Sequence, residues 1–139
     1  MGFFRSTPPP PARLHHPEFG TLVYSSEDEE YAITYNGHTY LISLGKDGKI
    51  SEHIFDYLRD LDARSSDIEA WLASSKEQMI KDWPLHKDEI NGLKIESLCL
   101  SDFKGKYMCC FITLSGGEDY RAWRFEIRGL NPVGLGFDS

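Results

Sequence analysis

Four consecutive carboxylates, Glu27, Asp28, Glu29 and Glu30, are the densest chemical feature of this 139-residue chain. Like charges side by side repel, so such a run calls for a solvated loop or for a cationic partner that meets it. A helix expected downstream adds Asp56 and Asp60, which at i and i+4 share one helical face. Carboxylates placed in this way steer a basic macromolecule and raise its association rate, and these six residues are the expected partner-binding set. Other chemistries find less support. The histidines lack helical i, i+4 spacing and no Cys-x-x-Cys occurs, so neither a metal nor a cofactor is expected. His15 and His16 are adjacent in an arm without fixed geometry, and His38 and His53 lie near carboxylates without a nucleophile at a recognisable spacing. Cys109 and Cys110, as neighbours on a strand, point to opposite faces and are poorly placed to bridge. With Cys99 they read as small apolar fillers of a protein in a reducing cytoplasm. The chain carries no Gly-rich phosphate loop, Gly-x-Ser-x-Gly elbow or His-Glu-x-x-His, and is read as a non-enzyme. A small enzyme whose residues converge from distant positions stays open as an alternative.

The charge balance sharpens this reading. Fifteen Lys and Arg oppose 22 Asp and Glu, a net charge of −7. Residues 25–90 hold 15 acids and 7 bases, whereas residues 91–139 hold six of each. The surplus therefore belongs to the first loop and the helical region, and a nucleic-acid partner is not expected of so acidic a chain. No apolar run of about 18 residues exists to span a bilayer, and no membrane partner is expected. The opening Met1-Gly2-Phe3-Phe4-Arg5 is interrupted too soon for a secretory signal. Met1, Gly2 and Ser6 meet the loose N-myristoylation pattern, which arises easily without modification.

The elements that must position these residues follow from periodicity. Pro8-Pro9-Pro10-Pro11 lacks amide donors, so residues 1–17 are expected as an extended Pro-rich arm and residues 18–139 as one domain. Strands are expected over residues 19–24, 31–35 and 38–44, with Asn36-Gly37 as a type I′ hairpin turn between the last two. Ile54, Phe55, Leu58 and Leu61 form one helical stripe with Ser51 as N-cap. Ser66 and Glu69 form a capping box for a second helix that Pro84 stops. Four more strands are expected: residues 93–100 with a bulge between Ile95 and Leu98, residues 107–114 covered on both faces, and a closing hairpin over 123–128 and 133–138. Runs of like elements favour an α+β domain: an antiparallel sheet of six to seven strands with a helical pair on one face, in the order β-β-β-α-α-β-β-β-β. Trp71, Trp83 and Trp123 fall on the inner stripes and are expected in the core.

Three stretches resemble known motifs or families. Arg5-x-x-Pro8-x-x-Pro11 and Pro8-x-x-Pro11-x-Arg13 match both orientations of a Pro-rich ligand, although a stiff arm satisfies the same composition. Gly116-Gly117-Glu118-Asp119-Tyr120 is similar to the Gly-Gly-Asp/Glu-Glu-Phe signature of diguanylate cyclases. That family's hairpin sits among a nucleotide and metal site, and Asp119 stands where Glu is required, so a plain inter-strand loop is expected. From His16-Pro17-Glu18-Phe19-Gly20-Thr21-Leu22 onward, residues 16–138 resemble small bacterial domains of unknown function found among immunity proteins of polymorphic toxin systems. The matching places are Trp83, then Trp123-Arg124-Phe125-Glu126-Ile127 and Gly134-Leu135-Gly136-Phe137-Asp138. A Gly-His pair of that group is replaced by Arg124-Phe125, so no role of that histidine transfers.

The resemblance implies an immunity-type inhibitor, and the acidic face supplies a mechanism: many toxin nucleases are basic, and carboxylates compete with their polyanionic substrate. The expected partner is a basic toxin domain; an adaptor recruited through the Pro-rich arm is the alternative. The oligomeric state is not written in the sequence.

Overall fold

Eight strands lie side by side in the order in which the chain makes them. The computed structural model describes residues 10–45, 47–103 and 106–138. Its strands are β1 (Arg13–His16), β2 (Gly20–Ser25), β3 (Glu30–Tyr35), β4 (His38–Ser43), β5 (Lys94–Phe103), β6 (Tyr107–Ser115), β7 (Ala122–Arg128) and β8 (Asn131–Asp138). Between β4 and β5 come α1 (Ile54–Ala63), α2 (Ser65–Asp82), a 3₁₀ turn (Pro84–His86) and α3 (Lys87–Asn91).

The architecture is α+β. The sheet is mixed where antiparallel pairing was expected, because β4 and β5 run parallel through Tyr40–Leu98, Leu41–Cys99 and Ile42–Leu100. A parallel neighbour requires a crossover, and the helical segment is that crossover. It carries the chain back along the sheet so that β5 starts at the same end as β4. Every other neighbouring pair is an antiparallel hairpin.

Local signals explain several elements. Asn36 (φ 50°) and Gly37 (φ 79°) both adopt positive φ, as the type I′ turn requires. The β5–β6 register slips between Ile95 and Ser97, which moves the following apolar residues onto the inner face. Pro84 has no amide to continue α2 and opens the 3₁₀ turn. The helix starts differ from expectation. Ser51 Oγ accepts from the His53 amide at 3.3 Å in a turn ahead of α1, whose N-cap is His53. Neither Ser66 nor any other side chain caps α2, and Ser65 Oγ instead donates to the Asp62 carbonyl at 2.7 Å.

The stretch expected as an arm also differs. Residues 1–9, with Pro8 and Pro9, lie outside the described residues, but Arg13 to His16 pair with β2. His16 is no free histidine: its Nδ1 accepts the amides of Glu18 (3.1 Å) and Phe19 (3.3 Å), and its ring packs 4.2 Å from Phe55. That side chain closes the β1–β2 turn and gives the His-Pro-x-x-Gly pattern a structural role.

The helices cover one face of the sheet. Tyr31, Tyr40, Leu100, Ile112 and Phe125 point into that layer and are fully buried with Leu58 and Leu61 of α1. Among the described residues, no helix lies on the opposite face. There Ala32, Leu41, Cys99 and Phe111 form one row across the central strands, flanked by serines and threonines. Among the described residues, 107–114 therefore have a helical layer on one side rather than cover on two, and Phe111 and Thr113 on the other side are half-buried. Cys110 faces the core, where burial pushes its thiol up, while Cys109 lies 3.0 Å from Ser101 on the other face. Among the described residues no helix is long and apolar enough to cross a membrane.

Candidate interaction surface

Side-chain tethers fix the helices to the turns of the sheet. Asp62 at the end of α1 accepts Asn36 Nδ2 at 2.7 Å and the Tyr40 hydroxyl at 2.9 Å, anchoring the β3–β4 turn. Tyr57 donates to the Gly129 carbonyl at 2.7 Å, and Lys76 to the Leu93 carbonyl at 2.6 Å. Against this scaffold the six predicted acids can be placed.

Glu27, Asp28 and Glu29 occupy the β2–β3 turn, with Glu29 at φ 54°. Asp28 accepts from Ser25 Oγ, and the turn makes no ion pair with any described residue. Glu30 begins β3 and points to the open face; burial, followed by the nearby Asp28 charge, raises its carboxyl. Asp56 pairs with Arg59 at 2.8 Å, and the same guanidinium binds Glu18 in the β1–β2 turn. That turn and the β2–β3 turn lie at opposite ends of β2. The structure thus joins Asp56 to Glu18, not to residues 27–30. Asp60 is exposed on α1. The predicted set is two acidic places, one of them partly neutralised.

A hollow of about 660 Å³ opens beside the β4–α1 connection, with Asp47, Lys49, Asp102 and the serines Ser43, Ser51 and Ser101 among its lining. Ser51 Oγ donates to Asp102 there at 3.2 Å, and no histidine is among the described residues that line it.

The most elaborate polar arrangement lies at the other end of the sheet and was not foreseen. Glu89 of α3, with 8% of its side chain exposed, receives both Arg121 Nε (3.0 Å) and Arg121 Nη2, Trp123 Nε1 at 2.7 Å and the Glu118 amide at 3.1 Å. The Arg121 hydrogen bonds hold its carboxyl down at about 2 against the opposing pull of burial, and the Trp123 and Glu118 donors add to the effect. This clamp explains Gly116-Gly117. At Gly116 (φ 99°) a Cβ would lie 2.5 Å from the Gly92 carbonyl oxygen. A Cβ at Gly117 would lie 2.5 Å from the Trp123 ring. The glycines let the β6–β7 loop close on α3, and the loop reading of this cyclase-like motif gains a physical basis.

Around the clamp the aromatic residues form one surface. Phe137 packs on Trp123 (4.8 Å between centroids) and edge-on to Trp83 (5.1 Å), which meets His86 at 5.4 Å. Arg121 stacks on Tyr120 at 4.4 Å. Trp123 is 2% exposed, as its stripe required, and Trp71 is half-buried. Trp83 contradicts the core expectation: it is the C-cap of α2, where the helical stripe has ended, and is 39% exposed. Tyr120 (63%) and Leu85 (96%) stand out beside it. The signal available in the sequence was Leu85 itself, an apolar residue between Pro84 and His86 in a charged segment.

Comparison with known proteins returns no matching family model, no matching curated protein and no matching solved structure.

Proposed function

We propose that this chain is a non-enzymatic binding domain, an immunity-type inhibitor that covers a basic partner through an acidic surface. The observation that carries the reading is uncompensated charge held on an ordered scaffold. The β2–β3 turn presents Glu27, Asp28 and Glu29 without an ion pair to any described residue, and the helical crossover holds ten acids against five bases between Glu52 and Ile90. The sheet half that follows is electrically balanced. A partner with a positive face is attracted from beyond contact range, and screening by salt weakens that attraction. The pattern-level resemblance of residues 16–138 to immunity-associated domains supplies the class of partner, a toxin domain.

The test uses the product of the neighbouring reading frame. Co-expression with this chain should relieve its toxicity, and the purified pair should associate more slowly as salt rises. Reversal of charge in E27K/D28K/E29K should slow association about tenfold while leaving dissociation nearly unchanged. Absence of protection, or an association rate indifferent to salt and to the triple variant, overturns the reading.

A further inference from the structure

We infer that Trp83, Leu85, His86 and Tyr120 form the anchoring surface for a protein segment that presents an apolar side chain flanked by lysine or arginine. This goes beyond the acidic-face reading, which concerns approach rather than grip, and it rests on that reading only for the partner being a protein.

The apolar element is out of place in a polar setting. Leu85 is 96% exposed at the apex of the 3₁₀ turn, and with Asp82, Trp83, Pro84 and His86 it lines a shallow hollow of about 300 Å³, the size of a single large side chain's site. Isolated exposed leucines need no explanation, but this one continues into the exposed ring of Trp83 and, through Phe137 and Arg121, to Tyr120. Trp, Tyr and Arg are the residue types that carry most binding energy at protein interfaces.

The charge around it selects the occupant. Asp82, Asp88, Glu118 and Asp119 are exposed and make no ion pair with a described residue, while Lys81 and Lys87 are the bases of the same rim. Arg121 is spent on Glu89. The rim is therefore negative on balance, and the rings of Trp83 and Tyr120 add faces that attract a guanidinium or ammonium. An acidic or neutral apolar segment meets no such complement.

The surface is also held ready. The Glu89 hydrogen bonds fix α3 to the β6–β7 loop, so the Trp83 and Tyr120 sides keep their spacing before any partner arrives, which lowers the ordering cost of binding.

Amide and indole correlation spectra of the full chain, titrated with acetyl-Lys-Lys-Leu-Phe-Lys-Lys-amide, test the assignment. Two control peptides replace the lysines by glutamates, or Leu-Phe by Gly-Gly. The expected result is movement of the Trp83 indole, Leu85, His86 and Tyr120 signals, with affinity about tenfold above either control, and loss of that advantage in Leu85→Asp. Equal response to the glutamate peptide, or no effect of Leu85→Asp, overturns the proposal. If Lys-Lys-Gly-Gly-Lys-Lys moves only residues 27–29 and the apolar peptide adds nothing at Trp83, the anchor fails while the acidic-face reading stands. Sedimentation of the wild-type chain completes the test: a concentration-dependent dimer abolished by Leu85→Asp would assign the surface to a second copy and overturn the proposal.

Discussion

At one end of the sheet Glu27, Asp28 and Glu29 are exposed, and Asp28 accepts from the Ser25 hydroxyl. At the other end Glu89 is nearly enclosed and accepts four hydrogen bonds from the β6–β7 loop and the start of β7, about thirty residues away in sequence. Both places are acidic, yet the first contributes field without structure and the second contributes structure without field, its charge being cancelled by Arg121. The contrast separates two tasks that composition alone merges. Long-range attraction needs exposed carboxylates and little order, whereas a shaped contact needs apolar groups whose neighbours cannot move.

Replacement of Glu89 by Ala is the sharpest way to break this contrast. It leaves Arg121, 9% exposed, without a counter-charge, and should give the largest loss of stability among these variants in urea denaturation. An unchanged midpoint would erase the difference between the two ends. Acid titration reads the same clamp. Because the folded carboxyl sits at about 2 and the ordinary value is 4.5, its stabilisation is complete above 4.5 and is lost as pH falls through 2. Glu30 has the opposite sign: its raised carboxyl favours the folded state when protonated, a contribution lost as pH rises. Glu89→Gln should thus flatten the acid limb of stability, while Glu30→Gln should leave that limb and stabilise slightly at neutral pH.

Gly117→Ala should follow in size, at about 1–3 kcal/mol, since its Cβ must displace the Trp123 ring. A thermal melt that shifts no more than that of Gly136→Ala, where a Cβ meets open space without a positive φ, would show that the loop can yield. His16→Ala should cost about 1 kcal/mol by removing the acceptor of two turn amides, measurable by chemical denaturation and by faster exchange of the Glu18 and Phe19 amides. The smallest structural effect belongs to E27K/D28K/E29K, which should stay within about 0.5 kcal/mol of wild type in stability while altering association. A larger loss of stability would mean that the acidic turn also holds the fold together.

What the sequence revealed about this molecule was what short stretches decide for themselves. Asn36-Gly37 dictates its own turn, the slipped phase around Ile95 dictates its bulge, and Pro84 ends α2 whatever surrounds it. The parallel β4–β5 seam was invisible because it depends on where the crossover returns the chain, not on the strand residues. The strand at Arg13 to His16 was masked by the neighbouring prolines, and it exists through pairing with β2. Glu89 looked like one acid among many; its partners Arg121 and Trp123 lie 32 and 34 positions away, and nothing local marks them as a set. Trp83 was misread because helical periodicity was extended one residue past the helix that gives it meaning. The acids at residues 27–30 were legible as a charged turn, and their separation from Asp56 became visible only once Arg59 was seen to reach Glu18.

Sheet order that copies chain order has a practical corollary. Strands β1 and β8 form the two outer margins, seven inter-strand steps apart, or roughly 34 Å at about 4.8 Å per step. A molecule bound along β1 thus sits across the full breadth of the sheet from Phe137 and its aromatic neighbours. Two different molecules can occupy the two margins at once without competing for backbone.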